Sequence, residues 1–167
     1  MHAIVYTSNT GHTAQYARLL GEKAGLPVYE AGDKTLAKGT PVLYLGWLFA
    51  NTVKGYKKAA KRFRVEAVCA VGLCDTGTAI PDVRKANGMP DSLPLFTLQG
   101  GMDKTRLRGI NKFMINMLTK AIGSKQDKTA DDERMLYLLE NDQNYVSEDH
   151  LAAFIAWYES EGKEEKV

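Results

Sequence analysis

The sequence predicts an α/β fold: a doubly wound, five-stranded parallel sheet in spatial order 2-1-3-4-5, within a single domain over residues 1–167. Three observations predict it. Short apolar runs alternate with helical patterns, which implies parallel strands joined by right-handed crossovers. Two of the runs, Pro41–Gly46 and Glu66–Leu73, are almost continuously apolar, as strands covered on both faces are. The first run stops at a polar turn that opens directly into a helix, the layout found where open sheets of this order reverse direction and bind ligands.

Residues 2–6 read as the first strand. Tyr16, Ala17, Leu19 and Leu20 then share one stripe, giving a helix over 12–24. Val28–Glu30 is a short strand after Leu26-Pro27, Gly32 to Gly39 is loop, and Pro41–Gly46 is the third strand. Residues 53–63 form a basic helix. Glu66–Leu73 is the fourth strand. Asp75 to Asp91, rich in Gly, Pro and Thr, is expected to be mostly irregular, with a helical turn near Val83–Ala86. Leu93–Leu98 is the fifth strand. Helices follow at about 104–122, 130–141 and 147–160, so that 104–141 is an inserted helical segment. Ser147, Asp149 and His150 mark the start of the last helix, whose Leu151, Phe154, Ile155 and Tyr158 face the sheet. The charged tail 162–167 is expected to fray.

Composition bounds the function. Hydrophobic content of 44% and charged content of 25% are those of an ordinary globular chain. No apolar stretch approaches the roughly 20 residues of a membrane span. A first strand opening at residue 2, soon followed by Asn, gives no expectation of a secretory leader. Cys69 and Cys74 lie in one apolar run without a C-x-x-C; in a strand they would face opposite sides, so reduced thiols and a cytoplasmic protein without a metal site are expected. The net charge of +2 hides an asymmetry: residues 130–167 hold 11 Asp or Glu against 3 Lys or Arg. Elsewhere, Lys54, Lys57, Lys58, Lys61, Arg62 and Arg64 form a run without an acid. Nucleic acid is the sharp reading of such a run. With only Tyr56 and Phe63 among the cations and no nucleic-acid motif, a solvated helix face is the expectation. A docking face for an acidic redox partner is the alternative.

The chemistry is concentrated in three loops. The first, Thr7-Ser8-Asn9-Thr10-Gly11-His12-Thr13, joins strand one to its helix. Helix N-terminal amides are unpaired and the dipole favours an anion there. Ser8, Thr10 and Thr13 can add hydroxyl donors, and Gly11 lets the backbone come close to a ligand. The loop matches neither the ATP nor the dinucleotide motif. It contains no Lys or Arg, so neutral groups must hold the anion; the alternative is a helix N-cap with spare hydroxyls. The second loop, Gly46-Trp47-Leu48-Phe49-Ala50-Asn51-Thr52, sets two aromatics at a strand end, where a stacked planar ring or the core must cover them. Asn51 tolerates a positive φ, which suits a tight turn with Ala50. The third is Gly72-Leu73-Cys74-Asp75-Thr76-Gly77, with Asp75 suited to bonding its own backbone in a turn. Nothing basic adjoins Cys74 in sequence to make it a thiolate.

The pattern S-x-T-G-x-T after the first strand resembles the flavodoxin phosphate loop for FMN. With Gly46–Asn51 and Gly72–Gly77 it resembles the three FMN loops of that family, over the whole chain. The resemblance implies FMN as cofactor, with Trp47 or Phe49 on one face of the ring and Ala50-Asn51 beside N5, where a peptide could flip on reduction. Backbone amides of Leu73, Cys74, Asp75, Thr76 and Gly77 would lie on the pyrimidine edge, with Asp75 near N1. Cys74 stands where Gly is usual, and flavodoxins often carry Gly in the turn that here is Ala50-Asn51. Phe96–Asp103 and the Met-rich helix after it look like a flavodoxin-domain branch of anaerobic and Gram-positive bacteria, related to flavodoxin-like protoporphyrinogen oxidases. The net charge of +2 and the basic helix depart from the acidic electron carriers of the family.

The resemblance implies an FMN protein that moves electrons between redox partners, a reductase or ferredoxin-like donor and an acceptor. The alternative is an FMN-dependent oxidoreductase acting on a porphyrinogen or quinone, and a further one is a flavin-free interaction module. His2, His12 and His150 are tied by sequence to no nucleophile or carboxylate pair, so no catalytic residue is expected. Leu107, Ile110, Phe113, Met114, Ile115, Met117, Leu118, Ala121 and Ile122 span roughly 200° of a helix. That face either packs between the sheet edge and helix 130–141, or offers Met114 and Met117 to a partner, porphyrin or quinone. Lys104, Arg106 and Arg108 could then meet propionates or, in a peripheral membrane contact, anionic lipid.

Overall fold

Aliphatic and β-branched runs between turn formers become the strands of the main sheet, and two short segments, Gly101–Met102 and Gln143–Asn144, pair as a separate ribbon. In chain order these are β1 (Ala3–Thr7), β2 (Val28–Glu30), β3 (Pro41–Phe49), β4 (Thr52–Val53), β5 (Arg64–Gly72), β6 (Leu95–Gln99), β7 (Gly101–Met102) and β8 (Gln143–Asn144). The computed structural model describes residues 1–160; the expected frayed tail at 162–167 lies outside them. The main sheet runs β2-β1-β3-β5-β6 with all four pairings parallel. That is the spatial order read from the sequence, but the sheet has six strands rather than five. β3 does not stop at Gly46; it continues to Phe49 and folds back on β4, pairing Leu48 with Val53 and Phe49 with Thr52.

The hairpin has a two-residue turn in which Ala50 (φ 46°) and Asn51 (φ 61°) are both left-handed, the geometry that matches strand twist. No glycine relieves it. Asn87, buried, compensates: its Oδ1 accepts from Val53 N (2.9 Å), and its Nδ2 donates to Asn51 O (2.8 Å) and Val83 O (2.7 Å).

The helices are α1 (His12–Ala24), α2 (Tyr56–Arg62), α3 (Ile80–Asn87), α4 (Gly109–Gly123), α5 (Ala130–Glu140) and α6 (Ala152–Ser160). Tyr16, Ala17 and Leu20 of α1 and Phe154 and Tyr158 of α6 bury one sheet face with Ile4, Leu43 and Cys69. Tyr56 and Ala59 of α2 and Val83 of α3 bury the other with Val5, Val42, Tyr44 and Val68. Burial of each large apolar side chain favours folding by about 1.5–3 kcal/mol. Lys57, Lys58 and Lys61 of α2 stay exposed, as a solvated basic face requires.

Three expectations change. The 75–91 stretch holds a full helix, α3: Pro81 sits in its first turn and Gly88 (φ 63°) ends it, so the Pro and Gly mark helix ends rather than loop. The basic helix starts at Tyr56, because Thr52 and Val53 belong to the hairpin. The inserted helix starts at Gly109, because Leu107 and Arg108 are extended after a single 3-10 turn at Lys104–Arg106.

α4 and α5 pack on each other and over the C-terminal ends of β3 and β5. Met102, Leu107, Ile115, Ile122 and Leu139 form this third core, with Phe49 and Leu73 against it. The β7–β8 ribbon fastens the segment, Gly101 opposite Asn144 and Met102 opposite Gln143. A side chain at Gly101 would collide with Gln143 O and crowd His12 Nε2. Glycine is therefore required where the ribbon meets the first loop.

Candidate functional site

The loops after β1, β3 and β5 meet at the C-terminal edge of the sheet. In the first, Gly11 is left-handed (φ 103°) and caps α1 without a side chain. Ser8 Oγ accepts from Gly11 N (3.2 Å) and Ala14 N (3.4 Å), so Ser8 shapes the loop. Thr10 Oγ1 and His12 Nδ1 share a hydrogen bond of 3.0 Å. Below them the Tyr44 hydroxyl donates to Lys54 O (2.7 Å) and shares a 2.8 Å hydrogen bond with Thr7 Oγ1. Thr13 and His12 are buried. Burial pushes the His12 imidazole below its ordinary value, and Asp103 and the Gln143 backbone pull it partly back.

The loop itself has no cation, but the fold brings one. Arg106, from the 3-10 turn before α4, reaches over Gly11, with Nη1 3.5 Å from Thr10 O. Asp103 pairs with its Nε at 3.3 Å. Asn111 of α4 donates to Asn9 Oδ1 (3.1 Å). The inserted segment is thus tied to the first loop at two points.

Next to the loop, a small pocket of about 50 Å³ is lined by Asn9, Thr10, His12, Thr13, Trp47, Leu48 and Leu73 among others. Leu48, Gly72, Leu73 and Ile115 also line a second cavity, of about 250 Å³. Its walls include Phe49, Ala50, Asn51, Cys74 and Asp75; its cover is Ile115, Leu118 and Ile122 from α4 and Met135 and Leu139 from α5. The two aromatics divide: Phe49 lines the larger cavity and Trp47 the small pocket, and Lys54 Nζ lies 5.7 Å from the Trp47 ring and 5.2 Å from the Phe49 ring.

Not every expected residue lines this space. Gly46 lies within β3, where a side chain would strike Val53 and Lys54 O. Thr76 Oγ1 accepts from Gln99 N (2.9 Å), and Gly77 (φ 80°) donates to Thr97 O. These residues build the third loop from behind. The Asp75 side chain does not bond its own backbone: Arg134 of α5 grips the carboxylate with Nη1 (2.9 Å) and Nη2 (2.5 Å), and this hydrogen bonding holds it below the usual carboxylate range. Asp75 instead closes the turn through its carbonyl, which accepts from Thr78 N and Oγ1. Cys69 is buried in β5 and its thiol is pushed up by burial; burial raises the Cys74 thiol as well, with Arg134 opposing.

Sequence reasoning did not assign Arg106, Asn111, Met135 or Leu139 to this site. The signal that could have found them is Gly100-Gly101, which lets the insert turn back onto His12. Among the described residues no group of three or more His, Cys, Asp or Glu is placed to hold a metal, and no helix is long and apolar enough to cross a membrane. In comparisons with known proteins, no family model and no curated protein matches the chain.

Proposed function

We propose that this chain is a flavodoxin-like FMN protein that transfers electrons. One observation carries the reading: a hydroxyl-bearing helix N-terminus, a small pocket beside it and an apolar cavity that shares four of that pocket's lining residues lie at the sheet's switch point. A ligand with an anion at one end and a flat apolar body at the other matches that set of environments. The cavity of about 250 Å³ is just below the roughly 300–1,000 Å³ of small-molecule sites, and the smaller pocket adjoins it on the side of the first loop.

The residues present suit FMN. Thr10 and Thr13 hydroxyls and the His12 and Thr13 amides of α1 would hold the phosphate, since Ser8 already takes the Gly11 and Ala14 amides, with the Arg106 guanidinium adding charge. Leu48 and Phe49 would wall the ring, and α4 with α5 would exclude water from it. The flavin supplies one- and two-electron chemistry when bound. Arg134 neutralises Asp75, so this carboxylate adds less repulsion at the ring edge than a free one would. A second reading has its own support: the cavity is roofed by α4 and α5, which favours an FMN-dependent oxidoreductase of a porphyrinogen or quinone over a carrier whose ring edge is open.

Reconstitution tests the proposal. Protein incubated with FMN and desalted should be yellow, and reducible by a flavodoxin reductase. A colourless protein that takes up no FMN would overturn the cofactor. Turnover of protoporphyrinogen with menadione would select the second reading.

A further inference from the structure

α4 buries only one of its sides. Ile115 and Ile122 are buried, whereas Ile110, Phe113 and Met117 are 68%, 59% and 57% exposed. At 100° per residue, Phe113, Met117, Ile110 and Ala121 fall in an arc about 80° wide. Lys120, Asn116 and Lys112 border that arc on one side, and half-buried Leu118 with buried Ile122 and Ile115 lie beyond the other. The residues from Lys104 to Lys125 include six Lys or Arg and no acid. Two of these cations pair with an acid, Lys125 with Asp132 and Arg106 with Asp103, and two donate to backbone carbonyls, Lys104 Nζ to Glu140 O and Arg108 Nη1 to Thr105 O and Leu107 O. Arg108, Lys112 and Lys120 have no acidic partner within ion-pair distance among the described residues.

We propose that α4 is an interfacial helix that lies on an anionic lipid surface, with Ile110, Phe113 and Met117 inserted and Arg108, Lys112 and Lys120 at the headgroups. A protruding apolar stripe edged by cations is the pattern of a helix resting in the membrane plane. Lysine stems cover apolar surface while their ammonium groups stay at the headgroup level. A second copy of the chain fits poorly. Even at about 200 Å² for a whole side chain, three chains this exposed offer on the order of 350 Å², against roughly 800 Å² per partner in a stable complex. Two copies meeting here would also oppose cation to cation.

Co-sedimentation of the full chain with vesicles tests this at low and physiological salt. Binding to phosphatidylcholine/phosphatidylserine vesicles and not to phosphatidylcholine alone is expected. Phe113→Ser with Met117→Ser should weaken it at least tenfold, and Lys112→Glu with Lys120→Glu by about tenfold or more. All four positions are exposed, so circular dichroism and thermal midpoints should stay near those of the parent. In Phe113→Trp, tryptophan emission should shift to the blue on adding anionic vesicles. Absence of binding to anionic vesicles, or binding unchanged in the Phe113/Met117 variant, overturns the proposal. So does a concentration-dependent dimer abolished by Phe113→Ser, or binding to an acidic redox protein through Lys112 and Lys120 without vesicle binding. None of these readouts depends on FMN.

Discussion

Arg106 and His12 show how single side chains set the properties of the first loop. Arg106 sits over Gly11 at 3.5 Å from Thr10 O, and a phosphate in the loop would draw its guanidinium into a charge-assisted hydrogen bond. Arg106→Gln should weaken FMN binding about tenfold, the low end for a hydrogen bond between charged groups, since the side chain is largely exposed. Riboflavin, lacking the phosphate, should bind the variant and the parent equally; an equal loss for both ligands would assign Arg106 to packing. His12 makes a pH prediction. Its folded value lies below the ordinary 6.5 because it is buried, so the unfolded chain binds the proton more readily. The stability tied to neutral His12 is present above about pH 6.5 and is lost as pH falls through the lowered folded value. Urea midpoints of ligand-free protein should decline over that window, and His12→Asn should flatten the decline.

At the scale of elements, the β3–β4 hairpin depends on α3. Two non-glycine residues hold positive φ in its turn, at a cost of roughly 1–2 kcal/mol each, and Asn87 ties both sides of it. Asn87→Ala would leave Val53 N–H and the Asn51 carbonyl without their partner, and should destabilise the fold by about 2–4 kcal/mol in urea unfolding. A loss below about 0.5 kcal/mol would mean that water replaces the amide. The hairpin was half legible. Asn51 and its tolerance of a left-handed turn could be read, but the strand continuing through Trp47-Leu48-Phe49 could not. A run of aromatics after Gly46 fits a loop and a strand equally well until Thr52 and Val53 are known to pair with it. α3 escaped for a related reason. Its Pro81 and Gly88 are helix-end residues that look identical to turn residues when only local composition is weighed.

For the whole molecule, the inserted segment acts as a cover. α4 and α5 roof the larger cavity, and Arg106, Asn111 and Arg134 tie them to the first and third loops. FMN at a hundred times its dissociation constant should stabilise the fold by about 2.7 kcal/mol, raising the thermal midpoint by roughly 5–10 °C. Amide exchange in α4 and α5 should slow together with that in the first loop. Slowing confined to residues 7–13 would show that the ring does not lie beneath these helices.

Local rules in the chain determined the alternation of strands and helices and the polar turn after β1, since periodicity and turn chemistry act over a few residues. Tertiary structure alone decided what covers the cavity and what charges the loop. The Arg106–Thr10, Arg134–Asp75 and Asn87–Asn51 contacts join residues 96, 59 and 36 positions apart. Such pairings depend on how packed elements meet, because no local periodicity links residues at those separations.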